Sequence, residues 1–379
     1  MKARFEVADV LNAHWPEIER SQNINGWQLR TLGAIKRCRT SEMGGHVDAC
    51  TSCGTMRISY NSCRNRHCPK CQGKEREKWI VKREEDLLAV PYFHVVFTLP
   101  DVLNPLAMHK PKPVYDSLFA AAWQTVATFG RDPKHLGGRT GMICILHTWG
   151  QTLQLHPHLH CIVPGGGLSQ AGKWKTARCK GKFLFPVKTM SKVFRAKYVE
   201  ALKSRIPDLD KSLVNALFKK DWVVYAKRPF AHASHVIEYL GRYTHKIAIS
   251  NHRIQAIDAQ KVTFGYKDYR QEGMKQSMTL DGMEFIRRFA LHILPKGFVR
   301  IRHYGILSGS TKHIHIPEIR SQLGLAEPKR KEVQKAEPYN PLICPFCKTQ
   351  TMVTIQILLK RGPPAGMLRT KNLHLKTDL

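Results

Sequence analysis

The segment LQLHPHLHCIV (153–163) sets histidines at every second position. Alternate side chains of a strand share a face, so His156, His158 and His160 point one way and Leu159 the other. Neighbouring neutral imidazoles are a divalent-metal chelate in waiting. Downstream, HASHVIEYLGRYTHKIAISN puts Tyr239 and Tyr243 four residues apart, on one helical face, beside Arg242, His245 and Lys246. Val236, Ile237 and Leu240 already supply an apolar stripe there, so two phenols flanked by cations suit a task other than packing. A phenol with its ordinary pKa of about 10 is a poor nucleophile. It becomes useful when a metal polarises the phosphodiester it attacks. Two histidines and a third ligand hold such a metal with positions left open. His147 or Gln151 on the preceding strand and His245 after the tyrosines are the candidates for the third.

Cysteine spacing points to a second kind of metal chemistry. CTSCGTMRISYNSCRNRHCPKCQ contains Cys50-x2-Cys53 and Cys68-x2-Cys71 separated by fourteen residues. Two such pairs deliver four thiolates in the closed tetrahedron of a structural zinc site. Cys38, His46, Cys63 and His67 remain, to form a second site or to replace one of the four. Arg64, Arg66 and Lys70 surround the cluster, as phosphate contacts or as an ordinary solvated face. The late pair Cys344 and Cys347 has no partner nearby, and reads equally as a partial zinc ribbon or as two incidental thiols. Cys144, Cys161 and Cys179 stand alone, as small buried apolar residues do.

The elements that must position these groups follow from pattern. The chain has 379 residues, enough for two or three domains. Residues 1–37 read as helical, with Trp27, Leu29, Leu32 and Ile35 on one face. Residues 38–75 have too few long apolar runs for a core without metal, and KEREKWIVKREEDLLAV reads as a charged helix leading out of them. YFHVVFTL (92–99), GMICILHTW (141–149), LHCIVPGGG (159–167), WVVYAK, KIAIS and QKVTFGYKD read as strands. Residues 113–129, about 189–204, ASHVIEYLGRYTH and 281–294 read as helices, the last opened by an Asp281/Glu284 capping box and closed by Pro295. Several strands follow one another directly, which predicts an α+β fold with an antiparallel or mixed sheet. The Pro- and Lys-rich segment after about 310 reads as linker, metal knuckle and loose end.

Lys and Arg number 61 against 29 Asp and Glu, a formal charge of +32. That excess implies a polyanionic partner, nucleic acid first. Basic and aromatic residues interleave in FGYKDYR, FIRRF and FVRIRHYG, a composition suited to single-stranded DNA. Phe285 and Phe289 fit a core, which leaves Arg287, Arg288, Arg300 and Arg302 as the contact candidates. There is no apolar run of membrane-spanning length, and the N-terminus lacks the apolar centre of a secretion signal. The expectation is a cytoplasmic, nucleoid-associated protein.

Taken in order, GGHVDACTSCG, SCRNRHCPKCQ, HVVFTLP, LHPHLHCIVPGGGL, YLGRYTHKIAISNHRI, KDYR, EFIRRFALHILPKGFVRIRHYG and CPFC resemble the two-tyrosine HUH-endonuclease transposases of rolling-circle insertion sequences, the IS91-like group. The resemblance implies an RRM-like antiparallel sheet in a catalytic domain over 90–310, preceded by a helix and zinc-binding domain over 1–80 and followed by a basic tail with a CxxC knuckle over 311–379. It makes His158 and His160 the ligands of a catalytic Mg2+ or Mn2+, and Tyr239 and Tyr243 the nucleophiles. It implies Zn2+ in the N-terminal module and DNA, single-stranded at the element ends and target, as the partner. The competing readings are a plasmid replication initiator or relaxase with the same chemistry, and a non-catalytic zinc protein that only binds nucleic acid, RNA included.

Overall fold

The computed structural model describes residues 3–71, 87–178, 184–227, 229–230, 236, 247–325 and 340–360. Its strands are β1 (Gly45–Cys50), β2 (Met56–Tyr60), β3 (Tyr92–Thr98), β4 (Gly141–Trp149), β5 (Leu155–Pro164), β6 (Gly166–Leu168), β7 (Trp174–Thr176), β8 (Val224–Ala226), β9 (Ile254–Ile257), β10 (Lys261–Asp268), β11 (Met274–Asp281), β12 (Ile301–Gly305) and β13 (Met352–Leu358).

The central sheet runs β12-β4-β5-β3-β8, every neighbour antiparallel. Its inner strands are rich in β-branched and aromatic residues, which suit a pleated buried surface. Register decides everything that follows. Cys144 lies opposite Cys161, Leu146 opposite Leu159 and His147 opposite His158. Phe93, Val95, Phe97, Cys144, Leu146, Leu159, Cys161 and Val163 therefore share one core with the helices Pro111–Arg131 and Val187–Arg205. Tyr92, Ile143, Ile145 and Ile162 face the other way, into a cluster with Val236, Ile306, Ile316 and Ile319. The histidines occupy the remainder of that second face. A slip of one residue would bury them and expose Leu159. As the alternation predicts, Leu159 and the histidines lie on opposite sides of β5. Cys144 and Cys161 are buried with their sulfurs 3.5 Å apart; Cys179 lies outside the described residues.

The helix Pro111–Arg131 starts on a proline, which costs nothing where the first N–H groups have no helical partner. Phe97 packs on Phe194 with ring centroids 4.8 Å apart, and both are fully buried. Truncating such a ring costs about 3–5 kcal/mol.

A second core joins the sheet β11-β10-β9 to the N-terminal helices. The N-terminal segment is helical as expected, in three helices, Val7–Ala13, Trp15–Arg20 and Gly26–Lys36. Asn25 caps the third, accepting from the amides of Trp27 and Gln28. The helix Gly282–Ala290 lays Phe285 against Phe264, and both Phe285 and Phe289 are core residues as predicted. Asp281 caps it, but Glu284 does not close the capping box: its carboxylate takes Arg287 and Arg288 instead, and the helix ends well before Pro295. KIAIS is not a strand over 247–250; Ala248 and Ile249 drop into this core from irregular chain. The helices predicted for KEREKWIVKREEDLLAV and for ASHVIEYLGRYTH lie outside the described residues, apart from 87–90, which are irregular rather than helical, and Val236.

The third sheet, β13-β1-β2, corrects the picture of a loose C-terminal end. Residues 352–358 pair antiparallel with β1, Gly45 opposite Leu358 and Cys50 opposite Met352. They satisfy the edge of β1 that β2 leaves open.

Candidate active site

On the second face of the central sheet, β4 brings His147 opposite His158, and β5 carries His160 one step further. One ring nitrogen from each of the three falls within 4.8 Å of the others. Of the three candidates for a third ligand, His147 is the one the register delivers. Gln151 lines the same cleft, and His245 lies outside the described residues. His156, on the same face, borders the cleft but is not part of the triad.

Two of the three histidines are oriented by a second group, which is how metal-binding imidazoles are usually held. His158 donates from Nδ1 to the carbonyl of His156 at 2.6 Å, which keeps the lone pair on Nε2. His160 Nδ1 lies 3.0 Å from Nε2 of His94, the two rings stacked 13° from parallel. Burial, helped by Lys227 and His158, pushes His94 down to about 3, so it stays neutral and its ring shares one proton-mediated contact with His160 Nδ1. Sequence reading missed His94, although its place in HVVFTLP, two residues before Val96, already aimed it at the histidine face.

The turn between β4 and β5 is held from outside. Arg253 donates to the carbonyl of Gln151, Arg288 to that of Thr152 and His292 Nε2 to that of Leu153. The loop needs holding, because Leu153 sits at φ +62°, a left-handed conformation that non-glycine residues avoid. Arg253 and His292 went unnoticed in the sequence; both act through backbone carbonyls, which leave no mark on side-chain spacing.

The triad floors a cleft of about 910 Å³ whose far wall is the β10–β11 hairpin, with Tyr266, Lys267, Tyr269 and Lys275. Tyr269 is 72% exposed, a free aromatic face. No carboxylate lines the cleft among the described residues. Three neutral imidazoles would leave the full double charge of a cation to act on a bound anion. The residues fit a divalent metal.

The cysteines regroup. The expected union of Cys50/Cys53 with Cys68/Cys71 does not form. Cys38, Cys63, Cys68 and Cys71 make one tetrad, and Cys50, Cys53, Cys344 and Cys347 another. Fourteen intervening residues suggested a single site, but β1 and β2 carry the two pairs to different places. In the first tetrad, sulfurs lie 3.6 Å (Cys38–Cys71) and 3.7 Å (Cys63–Cys71) apart. Zinc at ~2.3 Å from each of four thiolates has tetrahedron edges of roughly 3.8 Å. The Cys63 thiol beside it holds Cys38 down to about 2, while the same contact pushes Cys63 up to about 12. His46 and His67 stand apart from both tetrads: His46 Nε2 faces Asp48 at 3.4 Å, and His67 is buried beside Arg66.

Most of the expected phosphate-contacting arginines are tied to the protein. Arg66 donates to the carbonyls of Phe298 and Pro295, and Lys70 to Glu6 and the Cys38 carbonyl. Burial holds Arg300 down at about 10. Arg302 pairs with Asp116 at 2.5 Å and lies over the Phe119 ring. Arg287 and Arg288 share Glu284. Of this set, Arg64 and Arg287 are exposed. Tyr239, Tyr243, Arg242 and Lys246 lie outside the described residues.

Two family descriptions match the chain. Residues 141–314 match "Putative transposase", and residues 10–99 match "Transposase zinc-binding domain". The class is therefore a transposase, a DNA-processing enzyme with an N-terminal zinc-binding domain. "Putative transposase y4qJ" of Sinorhizobium fredii (strain NBRC 101917 / NGR234) is 42% identical over 388 residues, covering 95% of this chain and 97% of that protein. The "Transposase for insertion sequence element IS801" of Pseudomonas savastanoi pv. phaseolicola is 27% identical over 329 residues, covering 84% and 79%. The chain belongs to the IS91-like transposases. A solved structure titled "Conjugative Relaxase TrwC in complex with OriT Dna. Metal-free structure." covers 62% of this chain at 9% identity with a TM-score of 0.23, too slight a likeness to argue from. Among the described residues, no helix is long and apolar enough to cross a membrane.

Proposed function

We propose that this transposase cuts and joins single DNA strands by tyrosine attack on a phosphodiester held at the His147–His158–His160 triad. The observation that carries the reading is the triad itself, three clustered imidazoles at the floor of a basic, aromatic cleft with no carboxylate among the described residues that line it. Mg2+ or Mn2+ bound there would polarise the scissile phosphate and offset its developing charge. Imidazole nitrogens favour first-row ions over Mg2+, so Mn2+ is the stronger activator.

The chain's own groups divide the remaining work. His94 and the His156 carbonyl hold His160 and His158 in their ligating tautomers. Lys267 and Lys275, opposite each other in register, meet the strand's phosphates, and Tyr266 and Tyr269 offer faces for unpaired bases. Tyr239 or Tyr243 forms the new bond to phosphorus through its phenolic oxygen. The bond to the 3′ oxygen breaks, the 5′ end stays on the tyrosine, and a free 3′-OH leaves. That hydroxyl, or one from a second strand, attacks the phosphotyrosine and restores a phosphodiester. Val236, three residues before Tyr239, is buried on the histidine face of the sheet, which supports this pairing of tyrosines with triad.

The test is a denaturing gel of full-length protein with labelled single-stranded DNA from the element's own ends. A labelled band at protein mass is expected with Mn2+, weaker with Mg2+, and absent in Tyr239→Phe/Tyr243→Phe and in His158→Ala/His160→Ala. Persistence of the adduct in the double tyrosine variant would sink the assignment of the nucleophiles. Binding of both ends without any adduct would leave a DNA-binding zinc protein.

A further inference from the structure

The zinc-binding match over 10–99 contains the whole Cys38/Cys63/Cys68/Cys71 tetrad but only half of the other one. Cys344 and Cys347 come from a segment that neither family match reaches. Their surroundings repeat those of Cys50 and Cys53 almost bond for bond. The amide of Gly54 donates to the Cys50 carbonyl at 2.9 Å, and that of Lys348 to the Cys344 carbonyl at 3.0 Å. The Cys50 amide donates to Thr55 at 2.9 Å, and the Cys344 amide to Thr349 at 2.8 Å. Gly54 and Lys348 both take left-handed backbones, φ +69° and +63°. Thr55 Oγ1 lies 3.1 Å from the Cys53 sulfur, and Thr349 Oγ1 2.9 Å from that of Cys347.

These are two metal knuckles, and they face each other. Cys50 and Cys347 sulfurs are 3.6 Å apart, and those of Cys53 and Cys344 3.7 Å, close to the edge of a zinc tetrahedron. A third hydroxyl, Thr351 Oγ1, meets the Cys50 sulfur at 3.0 Å. Hydroxyls directed at sulfur stabilise thiolates, as the partners behind metal ligands do. We propose that Cys50, Cys53, Cys344 and Cys347 bind a second Zn2+, a clasp that fastens residues 340–358 to the zinc-binding module. Binding displaces the thiol protons and adds four Zn–S bonds with no change of oxidation state. The ion sits at the end of the β1–β13 pairing, where Cys50 opposes Met352, so it locks the register of that ladder.

The measurement is native mass spectrometry of the full chain purified without chelator, together with hydrogen exchange. Two zinc ions per chain are expected. Cys344→Ser/Cys347→Ser should hold one, with exchange over 352–358 rising at least tenfold while the core strands 143–147 are unchanged. Cys347→His keeps four ligands and should keep two ions, so the proposal stays testable if the serine variant folds poorly. One zinc in the unaltered chain would overturn the clasp, as would two in the serine variant. A chain four hydrogens lighter with one zinc would show two disulfides in its place.

Discussion

At the scale of single residues, His94 does the most with the least display. It touches no solvent to speak of and is not one of the three clustered histidines, yet its Nε2 meets Nδ1 of His160 and so leaves His160 Nε2 as the nitrogen turned to the triad. His94→Ala should weaken Mn2+ binding at the triad about 10- to 100-fold by calorimetric titration, with thermal stability changing far less than binding. His292 is the other buried imidazole with a defined tautomer, between the Thr148 hydroxyl and the Leu153 carbonyl. Burial pushes it down to about 4, so the folded chain keeps it neutral where the unfolded chain protonates it. The unfolded state then binds more protons, and stability is complete above pH ~6.5 and declines as pH falls toward 4. The decline from this residue is at most about 1.4 kcal/mol per pH unit. In His292→Gln, whose amide can replace both hydrogen bonds, urea denaturation between pH 7 and 4 should show a shallower slope.

At the scale of elements, the β4–β5 hairpin is the scaffold of the site and its turn the weak point. Arg288→Ala removes a bond to the Thr152 carbonyl and leaves Glu284 with one partner. A loss of about 1–2 kcal/mol is expected from chemical denaturation, with metal affinity at the triad falling because the strands diverge from this turn. The knuckle at Cys344 shows the opposite situation, a place where the chain tolerates strain. Lys348 holds a left-handed backbone without the glycine that Gly54 provides at the equivalent point. Lys348→Gly should raise stability by about 1 kcal/mol. Sequence pattern revealed the hairpin well, since period-two alternation around His156, His158 and His160 dictates both strand and face. It did not reveal which cysteines meet, because spacing along the chain says nothing about strands that return from far away. Nor did it separate contact arginines from structural ones: Arg300 and Arg302 look exposed in FVRIRHYG, and only the packing of β12 against Asp116 and Phe119 turns Arg302 inward.

At the scale of the molecule, the charge of +32 and the cleft must act together. Binding of single-stranded DNA should fall steeply with salt, by about 0.7 in log–log slope for each phosphate neutralised. Lys267→Ala/Lys275→Ala should flatten that slope by about 1.4, whereas Lys188→Ala, on a helix facing away on the other side of the sheet, should leave it nearly unchanged. The pairing of β13 with β1 has a consequence in time. Cys53 and Cys344 are separated by 291 residues, so during synthesis β1 has one neighbour missing until residues 352–358 have left the ribosome. At ~5–20 residues per second that interval is on the order of tens of seconds. A nascent chain therefore carries an unfinished sheet edge while its hairpins are already complete, and a chain that stops after the central sheet and the helix Lys312–Gln322 but before residue 352 keeps every strand of its histidine floor and never closes the β13-β1-β2 sheet.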